Sequence, residues 1–191
     1  MAPAQGLGQD PSSTIPRSLY QGRSREPAAR RCRTMKLSEH FSLEELCHSQ
    51  TAARHNIDNH PDPVATERLT YLAHHLLEPL RERIGHPFSP TSGYRCPALN
   101  RLLGSSGRSQ HLCGEAVDLK IPGIGLHDLA GLIRRELAFD QLILEYHRPA
   151  EPESGWLHCS LADPARGRAN RGQALVFDGK SYREMDDVLS G

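Results

Sequence analysis

The segment Ser109-Gln110-His111-Leu112-Cys113-Gly114-Glu115-Ala116-Val117-Asp118 decides how this chain is read. His111 and Asp118 stand seven residues apart, a separation that would put them on one face of a continuous helix. Gly114 and the Ala-Val-Asp-Leu texture after it instead predict a loop running into a strand over 115–120. Further on, Gly155-Trp156-Leu157-His158-Cys159-Ser160 predicts another strand, on which Trp156, His158 and Ser160 share a face. Two imidazoles and one carboxylate suit a catalytic zinc that keeps a fourth position for water. On spacing alone, surface groups or satisfied core groups are the commoner use of such residues.

The flanking sequence supplies the frame. Ser42 and Glu45 have capping-box spacing, which predicts a short helix over 42–48. Asp62-Pro63 reads as N-cap and first turn of a longer helix, with Leu69, Leu72, Leu76, Leu80 and Ile84 on its buried face. Pro79 lies inside that pattern and should kink or divide the helix before Gly85 ends it. Beyond Gly85, short segments between Gly and Pro predict strands at 89–93, 115–120, 141–146, 155–160 and 173–177. Helical stretches are expected near 97–103 and 126–138. Helices first and short strands later give an α+β class, with an antiparallel sheet carrying the site.

Composition removes several alternatives. The 191 residues are 37% hydrophobic, and no apolar run approaches the ~20 residues that cross a bilayer. Membrane insertion is not expected. Basic and acidic residues balance at 23 each, which argues against a general nucleic-acid binder. Residues 1–34 hold six Arg against Asp10 and Glu26, a net of +4, and lack any hydrophobic period. They read as a disordered basic leader, followed by a domain over 35–185 and a short tail at 186–191. Five Cys and no C-x-x-C pair give no case for a disulfide framework. The N-terminus shows no apolar core of a signal peptide, so synthesis in a bacterial cytoplasm is the expectation.

The string S-x-H-x-x-G-x-A-x-D, followed downstream by W-x-H, resembles the zinc D-Ala-D-Ala carboxypeptidases and L-Ala-D-Glu endopeptidases of peptidoglycan. These are metallopeptidase family 15, of the LAS type. Thr91-Ser92-Gly93-Tyr94-Arg95 with Asn100, and Phe139-Asp140-Gln141-Leu142-Ile143-Leu144-Glu145, are similar to that family as well. The likeness covers about 35–178. Its opening, Met35-Lys36-Leu37-Ser38-Glu39-His40-Phe41, resembles the start of small prophage-type members and favours Met35 as the domain start.

The resemblance implies a hedgehog/DD-peptidase-like fold, with N-terminal helices packed on a small antiparallel sheet. It implies His111, Asp118 and His158 as ligands of a Zn²⁺ ion, and Arg95 and Ser109 as substrate-binding groups. Arg95 has the guanidinium fork that holds a carboxylate bidentately; an exposed salt bridge is its plain alternative, and a turn-stabilising role that of Ser109. Cys159 should face away from the ligands, and Cys113 reads as a small hydrophobe rather than a thiolate ligand. His74, His75, His127 and His147 have no supporting spacing.

Many relatives carry an acid three residues before the second His, and here that position is Gly155. Glu153 lies in a turn nearby. Glu145 ends an apolar strand, a costly place for a carboxylate without a partner. A hairpin of 141–146 with 155–160 would bring Glu145 near His158, so Glu145 is the expected catalytic acid/base. The implied activity is hydrolysis of peptidoglycan stem peptides or muropeptides by a monomeric, endolysin-like enzyme acting at the periplasm or cell wall. Rival readings are a non-catalytic zinc-stabilised wall-binding module and a cytoplasmic dipeptidase releasing D-Ala.

Overall fold

A computed structural model describes residues 35–148, 150–151 and 154–186. The expected leader 1–34, Glu153 and, apart from Asp186, the expected tail lie outside the described residues.

The chain begins with two short helices, α1 (Leu43–Cys47) and α2 (Gln50–Arg54). Ser42 and Glu45 close the reciprocal capping box at the start of α1. Asp62 caps α3 (Pro63–Leu72) through Ala65 N–H at 2.7 Å, and Pro63 occupies the first turn. The long helix is divided as expected. Pro79 has no N–H to offer, and the preceding turn widens to a π-helical segment, Ala73–Leu77, before α4 (Glu78–Ile84) resumes and Gly85 closes it. Leu69, Leu72, Leu76 and Leu80 are fully buried along one stripe. Helix α5 (Pro97–Leu102) precedes the site, and α6 (Leu126–Glu136) packs behind the sheet. No described helix is long and apolar enough to cross a membrane.

Five strands form one sheet: β1 (Ala116–Leu119), β2 (Gln141–Glu145), β3 (Trp156–Ser160), β4 (Gln173–Phe177) and β5 (Tyr182–Glu184), in the order β1-β3-β2-β4-β5. The class is α+β as expected, but the sheet is mixed rather than antiparallel, because β2 and β4 run parallel. The cause is the connection 161–172. It leaves β3 at Ser160, passes the start of β2 and begins β4 at the same end, so β4 lies antiparallel to β3 across the intervening β2. Asp140 pins that connection: its carbonyl accepts from Gln173 N–H at 3.0 Å and its N–H donates to the Ser160 carbonyl at 2.7 Å.

Two further expectations fail locally. The predicted strand at 89–93 reduces to a single bridge between Ser92 and Asp118, since Pro87 and Pro90 remove ladder donors on that stretch. Strand β5 was not expected; its three residues are all exposed and show no apolar alternation.

Alternation divides the sheet into two unlike faces. Val117, Leu119, Leu142, Leu144, Leu157, Cys159 and Val176 join the leucines of α3 and α4 and the inner face of α6 in one core. The opposite face carries Asp118, His158, Ile143 and Glu145. Core membership among the described residues starts at Leu37. Deleting residues 1–34 should therefore leave the thermal unfolding midpoint unchanged within about 2 °C, as a surface change of under ~0.5 kcal/mol implies for a domain of this size. Calorimetry of the full chain against residues 35–191 tests this.

Candidate metal centre

The site is built from a turn and two adjacent strands. His111 sits in a 3-10 turn, Gln110–Cys113, between α5 and β1. Its Nδ1 lies 2.7 Å from the Gly93 carbonyl. A carbonyl can only accept, so Nδ1 carries the proton and Nε2 turns its lone pair into the site. Gly93 is required by close approach: a Cβ there would stand 2.3 Å from the Leu46 carbonyl oxygen. Asp118 and His158 are direct cross-strand partners on β1 and β3.

The donor atoms form a near-equilateral triangle. Asp118 Oδ1 lies 3.2 Å from His111 Nε2 and 3.2 Å from His158 Nδ1, and the two nitrogens are 3.1 Å apart. A tetrahedral ion with bonds of ~2.0–2.1 Å separates its ligand atoms by ~3.3 Å, so the triangle needs only a few tenths of an ångström to close on one. All three side chains are buried, and three inward-facing acceptors so close together call for a cation. The residues present fit a metal with one position left open.

Electrostatics keep the ligands in the metal-ready state. Burial pushes the His111 pKa down, against the pull of Asp118, so the ring stays neutral. Burial works to raise Asp118, yet the two imidazoles beside it hold the carboxyl below its usual range.

Outer partners fix the triangle. Arg95 Nη2 bonds Asp118 Oδ2, the oxygen turned away from the histidines, while its Nε donates to Ser92 Oγ at 3.0 Å. Asn59 grips the backbone on both sides of Arg95, donating to the Tyr94 carbonyl at 2.9 Å and accepting from Cys96 N–H at 2.7 Å. Gln110, beside His111, donates to buried Asp140 at 2.8 Å. Asp140 is in turn clamped by Arg171, whose hydrogen bonds hold its pKa down near about 2. Sequence reasoning did not assign Asn59, Gly93, Gln110 or Asp140 a role. A buried Asp at a strand start with no partner in the nearby sequence was the available signal for Asp140.

The match with known proteins follows the same residues. A family model described as Peptidase M15 matches residues 39–159, from the turn before α1 to one residue past His158. The chain belongs to the peptidase M15 family. No curated protein matches it.

The other expected residues of this M15 peptidase stand in different surroundings. Glu145 is half-buried on the same sheet face, close enough that His158, Asp118 and Arg95 all act on its charge. Ser109 occupies the N-cap position of the 3-10 turn, yet its hydroxyl makes no cap bond. Cys159 points into the core as expected, where burial drives its thiol pKa up. His127 and His147 meet edge to face, 4.7 Å between ring centroids, and belong to no metal-binding group among the described residues.

Metal analysis should find about one divalent ion per chain, and His158→Ala should abolish stoichiometric binding, since two ligands rarely hold a structural or catalytic ion. The proton balance gives a second test. His111 has a folded pKa below its ordinary ~6.5, so the unfolded state binds the extra proton first. Its stabilising contribution is complete above pH ~6.5 and is lost as pH falls through the lower folded value. The metal-free protein should therefore melt at progressively lower temperature from pH ~7 to ~5, and His111→Asn should flatten that slope.

Proposed function

We propose that this M15 peptidase is a zinc enzyme that hydrolyses peptide bonds in the stem peptides of bacterial peptidoglycan, as a monomer acting at the periplasm or cell wall. The observation that carries the reading is Glu145 beside the His111–Asp118–His158 triangle, on the same open sheet face. A wall-binding module that used the ion only for structure would need no such acid there.

His111, Asp118 and His158 would hold a zinc ion, which would supply a Lewis acid for the scissile carbonyl and lower the pKa of a water. The remaining chemistry belongs to the chain. Burial raises the Glu145 pKa, with His158 and Arg95 pulling it down and Asp118 pushing it up. Its cross-strand neighbours, Trp156 and Phe177, explain the desolvation. A carboxylate made more basic in this way takes a proton at an Oε atom from the attacking water and returns it to the leaving amine nitrogen. Gly155 supports this assignment over an acid of its own: with φ at +75°, a Cβ would fall 2.2 Å from the Glu145 carbonyl oxygen.

Arg95 has two tasks in this reading. Its bond to Oδ2 turns Oδ1 of Asp118 towards the metal, and the rest of the guanidinium faces the substrate's carbonyl or carboxylate oxygen. The Ser109 hydroxyl is the second substrate-binding group. Carboxypeptidase and endopeptidase action use the same machinery and differ in how much peptide lies beyond the scissile bond. Mass spectrometry of fragments released from purified sacculi identifies the bond, and release of no fragment by the zinc-loaded protein refutes the enzyme reading.

Glu145→Gln should keep the metal and the fold while losing at least ~10²-fold in turnover. An undiminished Glu145→Gln enzyme, together with an inactive Glu153→Gln, would transfer the role to the loop. Arg95→Lys should lose catalytic efficiency and also weaken metal binding by about tenfold, the lower end for a lost ligand partner. Competition with a chelating dye measures the second effect independently of turnover.

A further inference from the structure

The open sheet face is ordered in cross-strand rows. The register aligns Trp156, Glu145, Phe177 and Tyr182 in one row, and Asp118, His158, Ile143, Leu175 and Glu184 in the next. A third row places Ser160 opposite Ala116, and Gln141 opposite Gln173. The middle row starts at the metal ligands and runs away from them over an apolar floor, Ile143 and Leu175. The outer rows are its walls. On one side Tyr182 stacks on Phe177, with ring centroids 4.5 Å apart and planes 24° apart. On the other, Gln141 Nε2 donates to Gln173 Oε1 at 2.8 Å, an amide pair with hydrogen-bonding capacity left over.

Beyond Ile143 this channel opens into a groove of about 450 Å³ lined by Gln141, Gln173, Leu175, Tyr182, Arg183 and Glu184. From the His158 position to the Glu184 position is three strand spacings, ~14 Å, which an extended peptide of about four residues covers. Both Arg183 and Glu184 line the far end, but the register pairs Arg183 with core-facing Val176 and Glu184 with Leu175, so alternation puts the Glu184 carboxylate on the face of the groove floor.

We propose that this groove is the subsite for the substrate's peptide chain, and that Glu184 selects a residue with an ammonium-bearing side chain there. The inference rests on the peptidase reading above and deepens it. The floor accepts aliphatic parts of the chain, the amide pair meets its backbone, and Tyr182 covers the stem of the basic side chain, whose amine reaches Glu184.

The probes are two synthetic pentapeptides, L-Ala-γ-D-Glu-L-Lys-D-Ala-D-Ala and the same peptide with the lysine acetylated on Nζ. Calorimetric titration into the zinc-loaded, full-length Glu145→Gln protein measures binding without turnover. The lysine peptide should bind about fivefold more tightly, the upper range for a partly exposed ion pair. In the Glu145→Gln/Glu184→Gln protein that preference should disappear. Tyr182→Ala should weaken both peptides alike, by about tenfold, as the loss of a stacking wall. Equal affinity of the two peptides, a preference that survives Glu184→Gln, or a Tyr182→Ala protein with undiminished affinity each overturns the proposal. If wild-type protein cleaves no peptide while the binding preference holds, the catalytic reading fails and the subsite stands.

Discussion

The hydrogen bond from His111 Nδ1 to the Gly93 carbonyl is the constraint around which the site is arranged. It fixes the tautomer, and through the tautomer the direction of the Nε2 lone pair. For that carbonyl to be in place, the 91–95 segment must lie against β1, and it does so through Thr91 N–H to Asp118 O and Asp118 N–H to Ser92 O. The same segment must press on α1, where Tyr94 N–H donates to the Leu46 carbonyl at 2.7 Å. Gly93 is the one residue type without a side chain to obstruct that approach. The placement of His111 therefore depends on α1 and its capping box, far earlier in the chain.

The sheet extends the constraint to the other two ligands. His158 and Cys159 are neighbours in sequence and serve opposite faces, one reaching the triangle and the other filling the core. A one-residue slip of β3 would bury the imidazole among leucines and turn a thiol towards His111 and Asp118, so the register is held by the whole apolar face at once. Asp140 adds a second lock at the sheet end. It joins Gln110 of the ligand turn, Ser160 of β3 and Arg171 of the next connection, and thereby couples both histidine-bearing segments.

What the sequence made legible follows from the range of the forces involved. The capping box at Ser42, the Asp62-Pro63 helix start and the division at Pro79 are local and were readable from neighbours alone. The grouping of His111, Asp118 and His158 was readable through the resemblance of their motifs, since spacing alone favoured no ligand role, and the expected β2–β3 hairpin placed Glu145 near His158. The parallel pairing of β2 with β4 was not readable, since it depends on where a twelve-residue connection crosses the sheet end, and nothing in the strands themselves encodes that. Arg95 was read as a substrate group, but its bond to Asp118 depends on Asn59 gripping the chain from a distant loop. Such partners are far apart in sequence and have no period to betray them.

The β2–β3 hairpin joins the placement of Glu145 to an unusual backbone conformation. Tyr146 follows Glu145 directly and adopts φ of +52°, a left-handed conformation uncommon for an aromatic residue. Its N–H is held by the Phe177 carbonyl at 2.8 Å, and its ring is wedged between Trp156 and Phe177. This turn ends β2 immediately after Glu145, so the carboxylate stands at the strand end, next to the aromatic row and one row from His158. Opposite, Gly155 provides the close backbone approach that lets β3 begin there. A side chain at 155 would put its Cβ where the backbone carbonyl of residue 145 stands, so this hairpin leaves no room for an acid at 155 and keeps one at 145. The left-handed conformation of Tyr146 is held in place by its aromatic contacts with Trp156 and Phe177.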